Sequence, residues 1–226
     1  MTQEVIAIVG GTGALGTGLA RRSRTADNAA AALADLQAVL AQRGQAAPPI
    51  EAMENLAAAQ AADIVVLTVP FAHHTSTLES LRPVLAGKIL IDVTVPLMPP
   101  KVATVHLPPG GSAGAAAQAL LGEAVQVVSA FQNVPAAHLQ EDHALDCDVL
   151  VCGNSKEARE RVISLVHDAG MRGFHAGPIA NAVAAEALTS VIININRTHK
   201  CHAGIRITGV PPAEPAGAPR PDGHAG

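Results

Sequence analysis

The chain has 226 residues, 49% of them hydrophobic and 15% charged, with a formal net charge of −4. A chain of this size buries roughly 70% of its unfolded surface as one domain, or as one large and one small, and its composition excludes collagen-like, disulfide-stapled and wholly disordered classes. With 1% aromatics, no Trp, no Tyr and only Phe71, Phe131 and Phe174, it lacks the basic surface and stacking platforms of single-strand nucleic-acid binders, so no nucleic-acid partner is expected.

Met1 to Glu4 lead directly into Val5-Ile6-Ala7-Ile8-Val9 without a basic region or cleavage site. The longest apolar run, Ile64 to Val69 with its flanks, falls well short of the ~20 residues that span a bilayer. A cytoplasmic location with no membrane association is expected. Cys147 and Cys152 stand five apart, which on a strand sends them to opposite faces. A local disulfide and a shared metal site are therefore not expected.

Along the chain, continuous apolar runs end in turn residues and alternate with helical stretches: Val5–Val9, Ile64–Val69, Ile89–Val93, Val125–Ala130 and Val149–Cys152. This is the pattern of an α/β protein whose parallel sheet is buried on both faces. Helices are predicted over Ala29–Leu40, Asn55–Ala62 and Ser112–Leu121 from their Ala-rich composition and spacing. Asn154-Ser155-Lys156-Glu157 has the form of a capping box for a helix reaching His167. Pro178 and Asn181 open a last helix, in which Leu188, Val191, Ile192 and Ile195 form an apolar stripe that is either core or a dimer face. From Pro211 on, the Pro-, Gly- and Ala-rich tail has nothing to bury and is expected to be disordered.

After the first run comes Gly10-Gly11-Thr12-Gly13-Ala14-Leu15-Gly16-Thr17-Gly18, with G-x-G-x-x-G from Gly11 to Gly16. In this pattern the first glycine permits the tight turn, the second lets backbone N–H groups approach a pyrophosphate and the third lets helix and strand pack closely, so a dinucleotide site is expected. The window about 20 residues further on holds no acid placed to take a ribose hydroxyl. Ser23 and Arg24, beside Arg21 and Arg22, instead offer a hydroxyl and a guanidinium for a 2′-phosphate, favouring NADP(H) over NAD(H).

Ligands of open parallel sheets lie outside the carboxyl ends of the strands. Three later strands leave into proline turns: Thr68-Val69-Pro70-Phe71, Thr94-Val95-Pro96-Leu97 and Phe131-Gln132-Asn133-Val134-Pro135. Together they suggest a rigid apolar slot for a flat ring. Between Glu186 and Glu214 there is no acid, while Arg197, Lys200 and Arg206 with His199 and His202 make a local basic excess suited to an anionic ligand. His73-His74 has no acid or nucleophile at a recognisable spacing and reads as lining rather than catalysis.

Four segments in order, Ile8 to Gly16, Ala62 to Pro70, Ser129 to Ala136 and Ala203 to Gly209, resemble the NADPH-dependent F420 reductases, also called F420H2:NADP oxidoreductases. The similarity runs, with one gap, from about residue 4 to 209. It implies a Rossmann domain for NADP(H) over residues 1–177, a small C-terminal part over 178–209 that closes a cleft on the deazaflavin, a tail over 210–226, and a homodimer. It also implies reversible hydride transfer between NADP(H) and coenzyme F420. By motif, Thr12, Gly13, Ala14 and Leu15 face the pyrophosphate, and Ser23 and Arg24 grip the 2′-phosphate. The resemblance likewise implies that Phe71, Thr75, Val95 and Ala136 lie along the ribose and nicotinamide, that Val134 packs near the meeting rings, and that Ala203 touches F420 with Arg206 and Lys200 near its phosphate and glutamyl tail. No side chain is assigned as catalytic, because the cofactors carry the hydride.

The chain departs from the family after Gly18-Leu19-Ala20, where Arg21-Arg22 runs straight into Ser23-Arg24. Roughly a dozen residues, a helix end and a second strand, are missing or shortened there, and Thr25-Ala26-Asp27-Asn28 carries no Lys after the Ser-Arg pair. Two other readings stay open: NADPH-dependent reduction of a flavin, carbonyl or imine, and a nucleotide-binding module without turnover.

Overall fold

The computed structural model describes residues 4–10, 51–139 and 145–210. Twelve regular elements alternate along them: β1 (Ile6–Val9), α1 (Asn55–Ala61), β2 (Ile64–Leu67), α2 (Phe71–Leu81), β3 (Ile89–Asp92), α3 (Ala113–Leu121), β4 (Gln126–Ser129), α4 (Ala136–Leu139), β5 (Asp148–Gly153), α5 (Lys156–Asp168), β6 (Arg172–Gly177) and α6 (Ala182–His199). Short 3-10 turns follow α2 at Arg82–Val84 and precede α6 at Ile179–Asn181.

The strands form one sheet in the order β1-β2-β3-β4-β5-β6. Alternate residues of β1 explain why it reads as a continuous apolar run. Ile6 and Ile8 join a core with Ile64, Val66 and Ile91, whereas Ala7 and Val9 join another with Val65, Leu67 and Leu90. The first core is completed by α5 through Ala158, Val162, Leu165 and Val166, the second by α1, α2 and α3 through residues such as Ala58, Leu78 and Ala117. Cys147 lies in one core and Cys152 in the other, on the opposite faces expected of them.

Among the described residues the sheet differs from a wholly parallel one at a single junction. β1 to β4 are parallel in register, and β5 and β6 are parallel to each other, but β4 and β5 run antiparallel with Ser129 opposite Cys152. β5 therefore begins beyond the carboxyl end of β4, on the same edge of the sheet as the loops that leave β1 to β4. Among the described residues β1 is the last strand on its side. The stretch where a further strand was read as missing or shortened, the predicted helix over Ala29–Leu40 and the tail from Pro211 lie outside the described residues.

Local chemistry sets the ends of the helices. Ser112 caps α3 by accepting from the Ala115 amide at 3.0 Å. The cap of α5 is Ser155, one residue beyond the predicted Asn154: its hydroxyl accepts from the Ala158 amide at 3.1 Å, and Asn154 instead accepts from the Ile179 amide at 3.1 Å. At the other end of α1, Lys88 Nζ donates to the carbonyls of Ala59, Gln60 and Ala62 at 2.7, 2.8 and 2.5 Å, which satisfies a helix terminus where those acceptors have no partner of their own.

With its preceding turn, α6 is 21 residues long with a mean hydropathy of 1.3, enough by length and composition to cross a membrane. Here Ala182, Ala185, Glu186, Ser190 and Ile192 are its buried face. The apolar stripe divides: Ile192 is in the interior, while Val191 and Ile195 are 45% and 39% exposed.

Candidate functional site at the strand exits

The exits of β1 to β4 are tied into one edge by hydrogen bonds that run across the strands. Thr68 donates to the Val9 carbonyl through its amide at 2.8 Å and its hydroxyl at 2.9 Å. The Val93 amide donates to Leu67 at 3.2 Å, and the Ala130 amide to Asp92 at 3.2 Å. At the head of this row Gly10 has φ +79, and a Cβ there would lie 2.9 Å from Val69 Cγ1 and 3.1 Å from the Thr68 carbonyl oxygen. Only glycine serves at this turn, for conformation and for space.

The three proline exits stand side by side on adjacent parallel strands. Pro70 precedes α2, so that Phe71 is the first residue of that helix, with its ring centroid 6.1 Å from that of His74 and 6.5 Å from that of His106. Val95 is half-buried and Thr75 exposed. The third exit carries backbone strain: Phe131, 5% exposed, has φ 73, a region that bulky residues rarely occupy and that clusters at functional sites. The turn is closed by the Val134 amide on the Phe131 carbonyl at 3.2 Å. Val134 itself is 8% exposed and packs in the core, while Ala136 opens α4 half-buried.

The C-terminal segment reaches the same edge. Ile205 and Ile207 flank Asp148, whose amide donates to the Ile205 carbonyl at 2.8 Å and whose Oδ2 accepts from the Ile207 amide at 2.6 Å. Ala203, half-buried, is held by its amide donating to Asn196 Oδ1 at 2.7 Å. A Cβ on Gly204 would come 2.6 Å from Cys147 Sγ and 3.6 Å from the Asn133 carbonyl oxygen. The third and fourth sequence motifs therefore meet in space. Arg206 is turned onto Asp146 in an ion pair, with its Nε 3.9 Å from Asp148. Gly11, Thr12, Gly13, Ala14, Leu15, Gly16, Ser23 and Arg24 lie outside the described residues.

Beneath the edge runs a buried polar network that the sequence did not reveal. His74 Nε2 and Asp92 Oδ2 are 2.6 Å apart, and Asp92 Oδ1 accepts from the Thr94 amide at 3.0 Å. Gln132 donates to the Asp92 carbonyl and to Ser129 Oγ, each at 2.8 Å, and Ser129 donates to Glu186 Oε1 at 3.4 Å. Glu186 accepts from the first amides of α3, Ala113 at 2.6 Å and Gly114 at 3.0 Å. Asn133 donates to the Ala185 carbonyl at 2.8 Å, and Thr189 to that of Gln132 at 3.0 Å, which seats α6 on the β4 exit.

Burial pushes the Glu186 carboxyl up to about 7, against the pull of the two amides and Ser129. Burial draws His74 down, but the Asp92 hydrogen bond and charge outweigh it and leave the imidazole above its ordinary value. The one signal for these groups was a single acid ending an apolar run in Ile-Leu-Ile-Asp92 and another inside the apolar α6.

No group of three or more His, Cys, Asp or Glu side chains that would hold a metal occurs among the described residues. What the edge offers is an apolar rim from Val69 to Pro135, a glycine turn at one end and rigid, internally satisfied support below. That suits an apolar, planar ligand group.

Residues 5–96 match the family described as NADP oxidoreductase coenzyme F420-dependent. Over 90% of this chain and 97% of the relative, the sequence is 39% identical to the F420-dependent NADP reductase of Methanocaldococcus jannaschii. It is 37% identical over 92% of this chain and 97% of the relative to that of Methanothermobacter thermautotrophicus. Among solved structures, a candidate F420-dependent NADP reductase from Arthrobacter sp. FB24 matches with a TM-score of 0.68 and 25% identity, covering 88% of this chain and 96% of its own.

Proposed function

The chain belongs to the F420-dependent NADP reductases, and from that membership we propose that it transfers hydride reversibly between NADP(H) and the deazaflavin coenzyme F420. NADPH supplies a hydride, and the deazaflavin accepts it together with a solvent proton. The observation that carries the reading is the meeting, on the edge where the three proline exits lie, of the third exit with the C-terminal segment at Gly204, alongside 39% identity across 90% of the chain.

In this reading the described residues bind and orient rather than exchange protons. Gly10 turns the chain at the carboxyl end of β1, and Gly11 to Gly16, next in sequence, bind the pyrophosphate of NADP(H). Ser23 and Arg24 take the 2′-phosphate. Phe71, Thr75, Val95 and Ala136 line the nicotinamide side, Val134 supports the ring contact from within the core, and Ala203 closes the F420 side. Residues 1–177 act as the nucleotide domain and 178–209 as the part that covers the acceptor. Holding the rings in line and excluding water supplies the rate, because proximity alone lowers such barriers substantially.

The protein is proposed to be a cytoplasmic homodimer. The exposed Val191 and Ile195 on α6 support a contact with a second copy, which keeps that helix at a protein surface rather than in lipid.

The test is an anaerobic mixture of the pure protein with NADPH and F420, followed by the visible absorbance of the deazaflavin, with NADH, FMN and FAD in parallel. Bleaching of F420 by NADPH and not by NADH is expected. Reduction of FMN or FAD in preference to F420 would replace the acceptor, and binding of NADPH with no turnover on any acceptor would reduce the protein to a binding module.

A further inference from the structure

We propose that Asp148 is a positioning residue for the acceptor, anchoring the segment 203–207 against the exit of β4. The inference rests on the F420 reading above and names the residue on which its acceptor half depends.

Asp148 is the first residue of β5 and fully buried, yet β5 needs no carboxylate to pair with its neighbours. Its side chain instead collects donors from two distant parts of the chain. Arg172, at the start of β6, donates through Nε at 2.8 Å and Nη2 at 2.7 Å. The Ile207 amide donates at 2.6 Å. Arg172 Nη2 also reaches the Ile207 carbonyl at 3.3 Å, so the ion pair grips both polar groups of that residue. Bidentate, charge-assisted pairs of this kind fix geometry as well as contributing energy.

The clamp holds the far end of a segment whose other ties include the Asp148 amide on the Ile205 carbonyl, the Arg206–Asp146 ion pair and the Ala203 amide on Asn196 Oδ1. Residues 203 to 208 form no strand and alternate between half-buried and exposed, with Ala203, Ile205 and Ile207 facing inward. Ala203 and Gly204 lie at the end of the segment that meets the site, where a Gly204 Cβ would touch Cys147 and approach the Asn133 carbonyl. Asn133 belongs to the β4 exit, and the β1 exit, which leads to the segment proposed for the pyrophosphate, is on the far side of β2 and β3. Loosening the segment should therefore disturb the acceptor and spare NADPH.

Asp148→Asn keeps the shape and removes the charge. The expected result is a KM for F420 raised about tenfold or more, as loss of a charge-assisted contact implies, with kcat reduced less and the NADPH Kd within about twofold of wild type. Amide exchange at Ile207 and tryptic cleavage after Arg206 should both quicken, reporting release of the segment without reference to activity. A second pair of variants leaves Asp148 intact. Gly204→Ala should raise the KM for F420 by pressing on Cys147, and Cys147→Ala in the same chain should restore it.

Asp148→Asn with faster exchange at Ile207 but an unchanged KM for F420 would overturn the proposal, as would an equal loss of NADPH and F420 affinity. Failure of the function assignment looks different, because wild type itself would then leave F420 oxidised. That result would remove the acceptor role of Asp148 together with the reading it rests on.

Discussion

His74 and Asp92 face each other at 2.6 Å with 1% and 0% of their side chains exposed, one from the first turn of α2 and the other from the last position of β3. The pair pins the first proline exit to the second. Removing one partner from a buried pair leaves an uncompensated group inside, which typically costs about 3–5 kcal/mol. Asp92→Ala is therefore expected to lower the unfolding free energy by about that amount in a urea titration. His74→Asn, which keeps a donor toward Asp92, should cost less. Equal and small losses in both variants would show that the pair carries no such weight.

The same interior sets the pH dependence of stability. His74 titrates above 6.5 in the folded chain, so its contribution is complete below 6.5 and is lost as pH rises through the raised native value. Glu186 is raised from 4.5 to about 7, so the folded chain keeps a proton that the unfolded chain releases over that interval. Both signs agree: stability declines from mildly acid to alkaline pH. Thermal melts at steps from about pH 5 to about pH 8 should show Tm falling, with a shallower slope in Glu186→Gln whatever its absolute Tm. A wild-type Tm that climbs across that range would contradict the account.

Asp148 works in the opposite direction at the acid end. Burial pushes its carboxyl up, but the Arg172 hydrogen bonds, the Ile207 amide and the Arg172 charge hold it below 3.8. The stability it contributes is present above 3.8 and is lost as pH falls through the lowered native value. Tryptic cleavage is impractical in that range, so the check is amide exchange at Ile207, expected to accelerate in acid beyond the intrinsic rate only where Asp148 is present.

How much of this was readable beforehand follows from burial. β1 to β5 announced themselves because strands covered on both faces are continuous apolar runs. β6 did not: Arg-Gly-Phe-His-Ala-Gly is an edge strand, half-exposed along most of its length, with no run and no alternation. α2 was also missed, since its His- and Thr-rich start resembles a loop and only Pro70 marks its beginning. The strand exits were readable as motifs, and the third of them meets the C-terminal motif where Gly204 lies against Cys147 and the Asn133 carbonyl. Their support was not, because His74 and Asp92 are 18 residues apart and Ser129 and Glu186 are 57 apart. A single acid in an apolar stretch does not disclose its partner.

Lys88 is a small case of the same kind. Its ammonium spans three carbonyls at the end of α1, although Gly-Lys-Ile reads as an ordinary turn before a strand. Lys88→Met retains the aliphatic stem and removes the donors. A loss of about 2 kcal/mol is expected, the range for hydrogen bonds to a charged group, together with faster amide exchange in α1 and little change in β5 or β6. A uniform change in exchange across the sheet would mean that α1 does not open separately.

Gly10 joins stability to binding. Its φ of +79 disfavours any side chain, and a Cβ would press to 2.9 Å on Val69 and 3.1 Å on the Thr68 carbonyl. Gly10→Ala is therefore expected to cost about 1–3 kcal/mol from conformation and crowding together. Gly10 also directly precedes Gly11 to Gly16 in sequence, the segment proposed to bind the pyrophosphate. Wild type should gain thermal stability on adding NADPH, by mass action, and in Gly10→Ala that gain should shrink at the same nucleotide concentration. Val69→Ala in the Gly10→Ala background removes the nearest contact, Val69 Cγ1, while the carbonyl contact and the positive φ persist. Partial recovery of the NADPH-induced shift is the expected outcome, and full recovery would assign the whole effect to crowding by Val69 rather than to the turn.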